Sequence, residues 1–361
     1  MAERDADRQP RDPAPRDAAA DELFDHAGGH DALTLPPRIA LTPRIALPAE
    51  IDPAAFVGHD RTAPIVELCG ETMGTTWRVL FAARVPPPVV RGRIEARLAE
   101  LVAQLSNWDR ASALSRFNDA PANSWVALPP DLARVVEEGL AIAAVSDGAF
   151  DPAVGVLVNL WGFGPAGPQP PPTPVQVTAA LERSGFARMG WRPADASLFQ
   201  PGGVQLDLSG IAKGYAVDAI VDLLATCGIR HCLVEVGGEL SGRGIRPDGE
   251  PWWVDLELPD GACFAPLRVA MHGQAVATSG TYVRGGHNLD PRTGSAPRNG
   301  VVSVSVVAPT AMRADALASA ALVAYPYLAA PAFDGVAMRL IVAREGGYDE
   351  IVTAPLAAML D

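Results

Sequence analysis

Strand-like segments follow one another through the second half of this chain with no helical segment between them. Segments 231–240, 252–259, 267–280 and 301–308 are rich in Val and other apolar residues, and several contain or border glycine. A doubly wound α/β fold would need a helix after nearly every strand, and this order does not provide one. We therefore expect an α+β fold in which mixed or antiparallel sheets pack against a few helices.

Helical spacing of apolar residues is confined to a few places. We predict helices over four segments: 90–105, 131–145 with Asp131 as the N-cap, 211–228 closed by Gly228, and 311–324. Three further segments predict other structures: 65–83 two strands around a glycine turn, 203–209 a strand, and the proline-rich stretch 165–174 a loop or an interdomain linker.

The first 64 residues differ from the rest. They are charged and rich in Pro and Ala, so they would bury little apolar surface, and we predict a disordered or loosely docked extension over residues 1–64. Its near-repeat at 36–48 is either a linker or an extended arm that docks on the domain. With 48% hydrophobic residues, the 361-residue chain has enough apolar surface for a sizeable core. We expect one domain over 65–361, or two subdomains joined near 165–175.

Charge and cysteine content exclude several classes of function. The net charge of -13 argues against nucleic acid or an anionic membrane as a partner. The four cysteines form no CxxC pair, so buried thiols in a reducing compartment are expected, although one disulfide stays open. We see no membrane-spanning stretch, no apolar core of a secretory signal and no N-terminal cysteine for a lipid anchor. The expected location is cytoplasmic, and the sequence does not indicate an oligomeric state.

The segment 206–218 places a glycine turn between an apolar run and a helix. Free N–H groups at such a helix start bind phosphate, and the helix dipole favours an anion there. Lys213 lies in the first turn, where a cation opposes the dipole unless an anion offsets it. The alternative is an ordinary turn at Gly210 followed by a solvated lysine.

Asp315 and Ser319 lie four residues apart, on one face of a predicted helix whose other residues are mostly small or apolar. A buried carboxylate must be paired or hold a cation, and a carboxylate with a hydroxyl suits Mg²⁺. The alternative is that Asp315 caps the helix N-terminus and Ser319 only packs.

A polar loop follows the strand that ends at Thr278 and Ser279. It contains His287 and Asp290, which are candidates for a general base. The alternative is a structural turn, because the sequence from Asp290 to Gly294 supplies turn residues.

Eight motifs together resemble the FAD:protein FMN transferases, the ApbE family, between about residues 66 and 323. They are MGTTW at 73–77, LSNW at 105–108 with SRFN at 115–118, GAFDPAVGVLVNLWGFG at 148–164, LDLSGIAKGYAVD at 206–218, VEVGGEL at 234–240, ATSGTY at 277–282, HNLDPRTG at 287–294 and ADALAS at 314–319. The resemblance implies an ApbE-like architecture related to the T-fold.

The resemblance also implies roles for individual residues. The positions that match FAD-contacting residues are Met73, Trp108, Ala149, Phe150, Asp151, Asp207, Lys213, Thr278 and Leu289, with Trp108 stacking on the flavin. The metal positions are Gly210 through its carbonyl and the side chains of Asp315 and Ser319. His287 would help to activate the acceptor hydroxyl, with Asp290 as the other candidate base.

The implied reaction is the Mg²⁺-dependent transfer of the FMN half of FAD to a Ser or Thr of an acceptor protein, with release of AMP. Hydrolysis of FAD to FMN and AMP, or flavin binding without turnover, are the alternatives. Three departures from the family pattern stand out: Ser319 replaces the usual Thr, Ala111 and Ala113 replace an acidic pair, and the export signal of many members is missing.

Overall fold

The computed structural model describes residues 42–48, 50–281 and 287–360. The strands in these residues are β1 (Arg44–Ala46), β2 (Ile65–Thr72), β3 (Thr75–Ala82), β4 (Ser124–Ala127), β5 (Trp191–Arg192), β6 (Ser197–Gln200), β7 (Cys232–Val236), β8 (Glu239–Arg243), β9 (Trp253–Asp255), β10 (Leu267–Ala270), β11 (Ala275–Gly280), β12 (Val301–Ala308), β13 (Ala337–Arg344) and β14 (Gly347–Val352). The α-helices are α1 (Pro87–Leu105), α2 (Ala113–Asn118), α3 (Pro130–Val145), α4 (Gly155–Leu160), α5 (Pro174–Leu181), α6 (Ala212–Thr226), α7 (Ala311–Ala324) and α8 (Ala354–Ala357).

One large sheet organises the fold. Its eight strands lie in the order β14-β13-β12-β11-β8-β7-β3-β2, and every neighbouring pair is antiparallel. Tight turns join several of these pairs, as at Met73–Gly74, where both residues have positive φ (49° and 70°). Such a two-residue turn matches the twist of a hairpin. The α+β prediction with antiparallel sheets and packed helices is therefore confirmed.

The two faces of the large sheet carry different layers. Helices α1, α6 and α7 pack on one face, α3 packs against α1 and α7, and all four form the main core with the sheet. The small sheet β1-β10-β9 covers the other face and contributes to a second core. Strand β11 shows the division, because Ala275 and Ala277 belong to the helix-side core while Val276 belongs to the opposite one. The alternation of side chains along a strand accounts for this pattern.

The second core includes residues that the sequence assigned to the N-terminal extension. Strand β1 pairs in parallel with β10, and Ala46 is fully buried. Arg44 also forms an ion pair with Glu350 of β14. Residues 44–46 therefore dock as an extended arm, which was one of the two interpretations of the near-repeat. Residues 1–41 lie outside the described residues.

The predicted helices agree closely with the observed ones. Helix α7 has the predicted bounds, α6 ends before Gly228 with φ of 77°, and α1 begins three residues earlier than expected. The cysteines at 69, 227, 232 and 263 are all free thiols. None of the helices in the described ranges combines the length and apolar character that a membrane crossing requires.

Two local predictions were wrong. Asp131 is not the N-cap of α3, since that position is Pro129; its buried carboxylate accepts hydrogen bonds from Arg97, Gln104 and Tyr215. Segment 203–209 is not a strand of any sheet. Its backbone is satisfied by loop and side-chain groups instead, as when the Asp207 N–H donates to the Pro152 carbonyl (2.8 Å). Hairpin β13–β14 had no counterpart in the sequence prediction.

Candidate active site

Helices α6 and α7 meet through a glycine. A Cβ built on Gly214 would lie 2.2 Å from the Ala311 carbonyl oxygen, so only glycine allows this approach. Asp218 of α6 accepts hydrogen bonds from the N–H groups of Ala311 and Met312, both at 2.9 Å. Asp315 of α7 in turn accepts one from the N–H of Gly214 at 3.0 Å. Each helix thus satisfies free N–H groups in the first turn of the other.

Three ionisable groups converge beside this contact. The Lys213 ammonium forms an ion pair with Glu239 of β8. Asp315 and Glu239 are 3% and 2% exposed, so little water reaches either carboxylate. Burial raises the pKa of Asp315, and Lys213 opposes this rise. Burial and then the charge of Asp315 raise the pKa of Glu239, again against Lys213. Two carboxylates therefore share one ammonium in a place of low polarity.

Gly210 lies against Ser319, one helical turn beyond Asp315. A Cβ built on Gly210 would be 2.9 Å from Ser319 Oγ and 3.4 Å from Cε2 of Phe150. Ser319 Oγ is also 3.2 Å from Ser279 Oγ at the end of β11. The structure thus brings the three predicted metal ligands into one neighbourhood, together with Ser279, which was not among the predicted ligands.

The donors in this neighbourhood fit a divalent cation that prefers oxygen. They are a carboxylate, a hydroxyl and a backbone carbonyl, which is hard-oxygen ligation of the type that Mg²⁺ accepts alongside phosphate and water. Across the described residues, no group of three or more His, Cys, Asp or Glu side chains is placed to hold a metal ion. Glu239 Oε2 is buried without a hydrogen-bond partner, and such an acceptor calls for a cation or an ordered water nearby.

The first residue of β3, Thr75, lies near Lys213. A Cβ built on Gly237 would be 2.9 Å from Cγ2 of Thr75 and 3.2 Å from Cδ of Lys213. Thr75 follows the Met73–Gly74 turn directly, so Met73 is two residues from this contact. The predicted Met73 position is therefore close to the ionisable cluster.

Asp207 connects the Gly210 turn to the end of α1. Its carboxylate accepts hydrogen bonds from Asn107 Nδ2 at 2.6 Å and from the N–H of Ser209 at 3.0 Å. The next residue after Asn107 is Trp108, whose side chain is 66% exposed. An exposed indole beside a buried polar network is free to stack on a flat ligand.

Segment 149–151 is buried, although its predicted role is to contact FAD. Ala149, Phe150 and Asp151 are all buried. The Asp151 carboxylate accepts hydrogen bonds from the N–H groups of Ala153 (2.7 Å) and Phe186 (2.8 Å). Burial raises the pKa of Asp151 to about 6. In the structure Asp151 joins two loops, and Phe150 provides the wall against Gly210.

The predicted residues of the loop after β11 lie in different environments. Both carboxylate oxygens of Asp290 accept from the guanidinium of Arg292, at 2.9 and 3.0 Å, which raises the pKa of Arg292. Leu289 is buried in a small core with residues of α4 and α5. His287 is partly exposed. Asp290 therefore has a structural role in the turn, through its ion pair with Arg292. Residues 282–286 lie outside the described residues.

Thr278 points away from the metal neighbourhood. Its Oγ1 lies 2.8 Å from Ser305 Oγ on β12. Ser279, the next residue, approaches Ser319, and successive side chains of a strand lie on opposite faces. The Thr278 side chain is therefore not beside the Gly210–Ser319 contact.

Similarity to known proteins agrees with this arrangement. The family model described as "ApbE family" matches residues 73–332, which is most of the chain. The chain belongs to the ApbE family. An FAD:protein FMN transferase of Vibrio cholerae is 33% identical over 320 residues, covering 84% of this chain and 96% of the relative. One from Salmonella typhimurium is 37% identical over 266 residues, covering 68% of this chain and 75% of the relative.

Solved structures of the family have the same fold. The apo form of the Pseudomonas stutzeri flavinyl transferase ApbE has a TM-score of 0.77 at 34% identity, covering 82% of this chain and 97% of that one. The flavin transferase ApbE from Vibrio cholerae gives 0.76 at 32% identity, covering 82% and 99%. The predicted family is confirmed, and with it the assignment of this chain to a family of transferase enzymes.

Proposed function

We propose that this enzyme transfers the FMN moiety of FAD to a Ser or Thr hydroxyl of an acceptor protein in a Mg²⁺-dependent reaction that releases AMP. The observation that supports this proposal best is the convergence of Gly210, Lys213, Asp315 and Ser319 from chain segments about one hundred residues apart. The names of the relatives supply the substrate and the product.

The residues of the chain have separable tasks in this reaction. The Gly210 carbonyl, Asp315 and Ser319 would hold Mg²⁺, which neutralises charge on the pyrophosphate when it is bound. Lys213 would bind the pyrophosphate oxygens, because the N–H groups of Ile211, Ala212 and Gly214 at the start of α6 already donate to Leu208 and Asp315. The exposed ring of Trp108 would stack on the flavin. Phosphoryl transfer needs little more from a protein than this positioning and charge stabilisation.

The acceptor hydroxyl must lose a proton as its oxygen bonds to the FMN-side phosphorus. The bond from that phosphorus to the AMP oxygen breaks, and AMP leaves with the bonding electrons. Of the two candidate bases, His287 is the better one because both oxygens of Asp290 are occupied by Arg292. Asp290 would then hold the loop that carries His287.

A single incubation tests the proposal. The full chain is mixed with FAD, Mg²⁺ and an acceptor fragment that carries a Ser or Thr target motif, and mass spectrometry follows the acceptor while AMP is measured in parallel. We expect an FMN adduct and AMP in equal amounts, both absent when EDTA is added or when the target residue is changed to Ala.

Two other outcomes would replace the proposal. AMP release at the same rate with and without acceptor, and no adduct, would identify an FAD hydrolase that uses the same site. FAD binding without AMP release under any condition would identify a flavin-binding protein.

A further inference from the structure

Glu239 is a buried acidic residue for which the proposed reaction has no task so far. It is the first residue of β8 and follows the Gly237–Gly238 turn of the β7–β8 hairpin. One carboxylate oxygen pairs with Lys213, and the other, Oε2, is buried without a hydrogen-bond partner. A buried carboxylate that is only half satisfied is costly to the fold. Such a cost is typical of residues retained for function.

The hairpin packs against the Lys213 side chain as well as pairing with it. Gly237 has φ of 60°, a conformation that favours glycine, and a Cβ at that position would come within 3.2 Å of Cδ of Lys213. The same Cβ would lie 2.9 Å from Cγ2 of Thr75. The lysine stem therefore packs against the turn while its ammonium is held by Glu239. Together the contacts restrict a side chain that is otherwise among the most flexible in proteins.

At a pH above the raised pKa of Glu239, the charges around Lys213 do not balance. Asp315 and Glu239 are both near its ammonium, so the metal-free cluster holds two acidic groups and one basic group. An excess of acidic groups repels the pyrophosphate of a dinucleotide and attracts a divalent cation. Without Glu239, Lys213 and Asp315 would balance, and the attraction for a dinucleotide would no longer require the cation.

We propose that Glu239 is a positioning residue that holds the Lys213 ammonium in the site and makes dinucleotide binding depend on the divalent cation. This inference rests on the proposed function and adds to it a residue that controls the order of events. Metal-free FAD is repelled by the acidic excess, whereas Mg²⁺ cancels the charge of the pyrophosphate, so FAD that arrives with Mg²⁺ is not repelled. Lys213 meanwhile stays beside the place that the pyrophosphate will occupy.

The test compares FAD affinity with and without the cation in the full-length protein. Glu239→Gln keeps the size of the side chain and removes its acidity. The comparison is made at pH 8.5 because burial and the charge of Asp315 raise the pKa of Glu239 to about 8. We expect this variant to bind FAD about fivefold to tenfold more tightly in EDTA and to need about tenfold more Mg²⁺ for half-maximal turnover. Titration calorimetry gives the first quantity and AMP release the second. The matched control is Glu235→Gln, a partly exposed carboxylate on the preceding strand, which should change neither quantity.

A second variant separates position from charge. Glu239→Asp keeps the acidic group but shortens its reach to Lys213 by one methylene group. Its FAD affinity in EDTA should stay within about twofold of the parent protein, while kcat falls about tenfold because the ammonium is no longer held in place. A melting curve for each variant establishes that it is folded.

Glu239→Gln is expected to tighten FAD binding in EDTA and at the same time to raise the Mg²⁺ requirement. A purely structural role would not improve one property while impairing the other. If Glu239→Gln weakens FAD binding in EDTA, or leaves FAD affinity and Mg²⁺ requirement unchanged, the inference is wrong. It is also wrong if Glu239→Asp loses FAD affinity in EDTA. If the parent protein shows no FAD binding with or without Mg²⁺, the proposed function itself fails, and the inference fails with it.

Discussion

Neutralising Asp315 should make the metal-free protein more stable and the enzyme inactive. Asp315 is 3% exposed and lies near a second carboxylate, Glu239, so its charge is unfavourable before a cation arrives. In Asp315→Asn the amide oxygen can still accept the hydrogen bond from the Gly214 N–H. The variant keeps the shape and the hydrogen bond but loses the charge. We expect a gain of about 1–3 kcal/mol in the free energy of unfolding in EDTA.

Asp315→Asn should be more stable than the parent in EDTA but less stable than the parent when Mg²⁺ and FAD are added. Ligand at one hundred times its Kd stabilises a folded protein by about 2.7 kcal/mol, which corresponds to a rise of several degrees in Tm. The parent should show this rise with Mg²⁺ and FAD, whereas Asp315→Asn should show little of it. Turnover should fall at least about a hundredfold, because charge stabilisation at the phosphate is lost. Differential scanning fluorimetry with EDTA and with Mg²⁺ plus FAD measures the reversal.

Asp218→Asn is the matched control, because Asp218 is a mostly buried carboxylate on the adjacent helix. Each of its two oxygens accepts one N–H at the start of α7, and an amide has only one such oxygen, so Asp218→Asn should cost about 1 kcal/mol in EDTA and preserve the response to Mg²⁺ and FAD. An Asp315→Asn protein that is less stable than the parent in EDTA, yet still gains the full ligand shift, would refute the reasoning. The cation would then lie elsewhere.

Three further variants probe the site and the fold. His287→Ala should slow flavin transfer far more than it weakens FAD binding, and an equal loss of both would remove the histidine from the chemistry. Gly210→Ala places a Cβ 2.9 Å from Ser319 Oγ, so the Mg²⁺ needed for half-maximal turnover should rise; an unchanged requirement would contradict the assigned ligands. Burial lowers the pKa of His231, whose Nδ1 accepts from the Ile245 N–H, so the unfolded chain binds the proton more readily. The contribution of neutral His231 to the free energy of unfolding should be complete above pH 6.5, the ordinary pKa of histidine, and should fall as the pH drops below it. In His231→Gln the change in Tm between pH 7.5 and 5 should be smaller than in the parent.

The helices were predictable because their apolar residues recur at a spacing that few other structures need. The hairpins were predictable because glycine turns separate apolar runs. Segment 203–209 looked like a strand for the same reason, but its hydrogen bonds go to Asn118 and to the loop around Pro152. Local sequence carries no information about such distant partners. The role of Asp131 was missed in the same way, since its partners lie on two other helices.

The candidate site was predictable where several motifs converge and less so where one residue acts alone. Lys213, Asp315 and Ser319 belong to long motifs, and the structure brings them together. Glu239 lies in the motif VEVGGEL, but the resemblance assigns no role to it. An acidic residue directly after a diglycine turn, inside an apolar strand, was the available signal. Asp290 looked like a base because the sequence cannot show that Arg292 occupies both its oxygens.

The spacing within two of the motifs has a common structural cause. Gly210, Gly214 and Asp218 contact Ser319, Asp315 and Ala311 respectively, so the first series rises by four as the second falls by four. This is the pattern of two helical segments that run antiparallel with matched turns.

The absence of a Cβ at Gly214 lets the backbones approach, and the approach places the Ser319 hydroxyl against Gly210. A shift of one helical turn along this contact would remove Asp218 from the start of α7 and Asp315 from the start of α6 together. The capping bonds that stabilise the helices and the placement of the metal ligands therefore depend on the same register. Substitutions that shift this register, such as a larger side chain at Gly214, should also disturb the site, even where they touch no ligand.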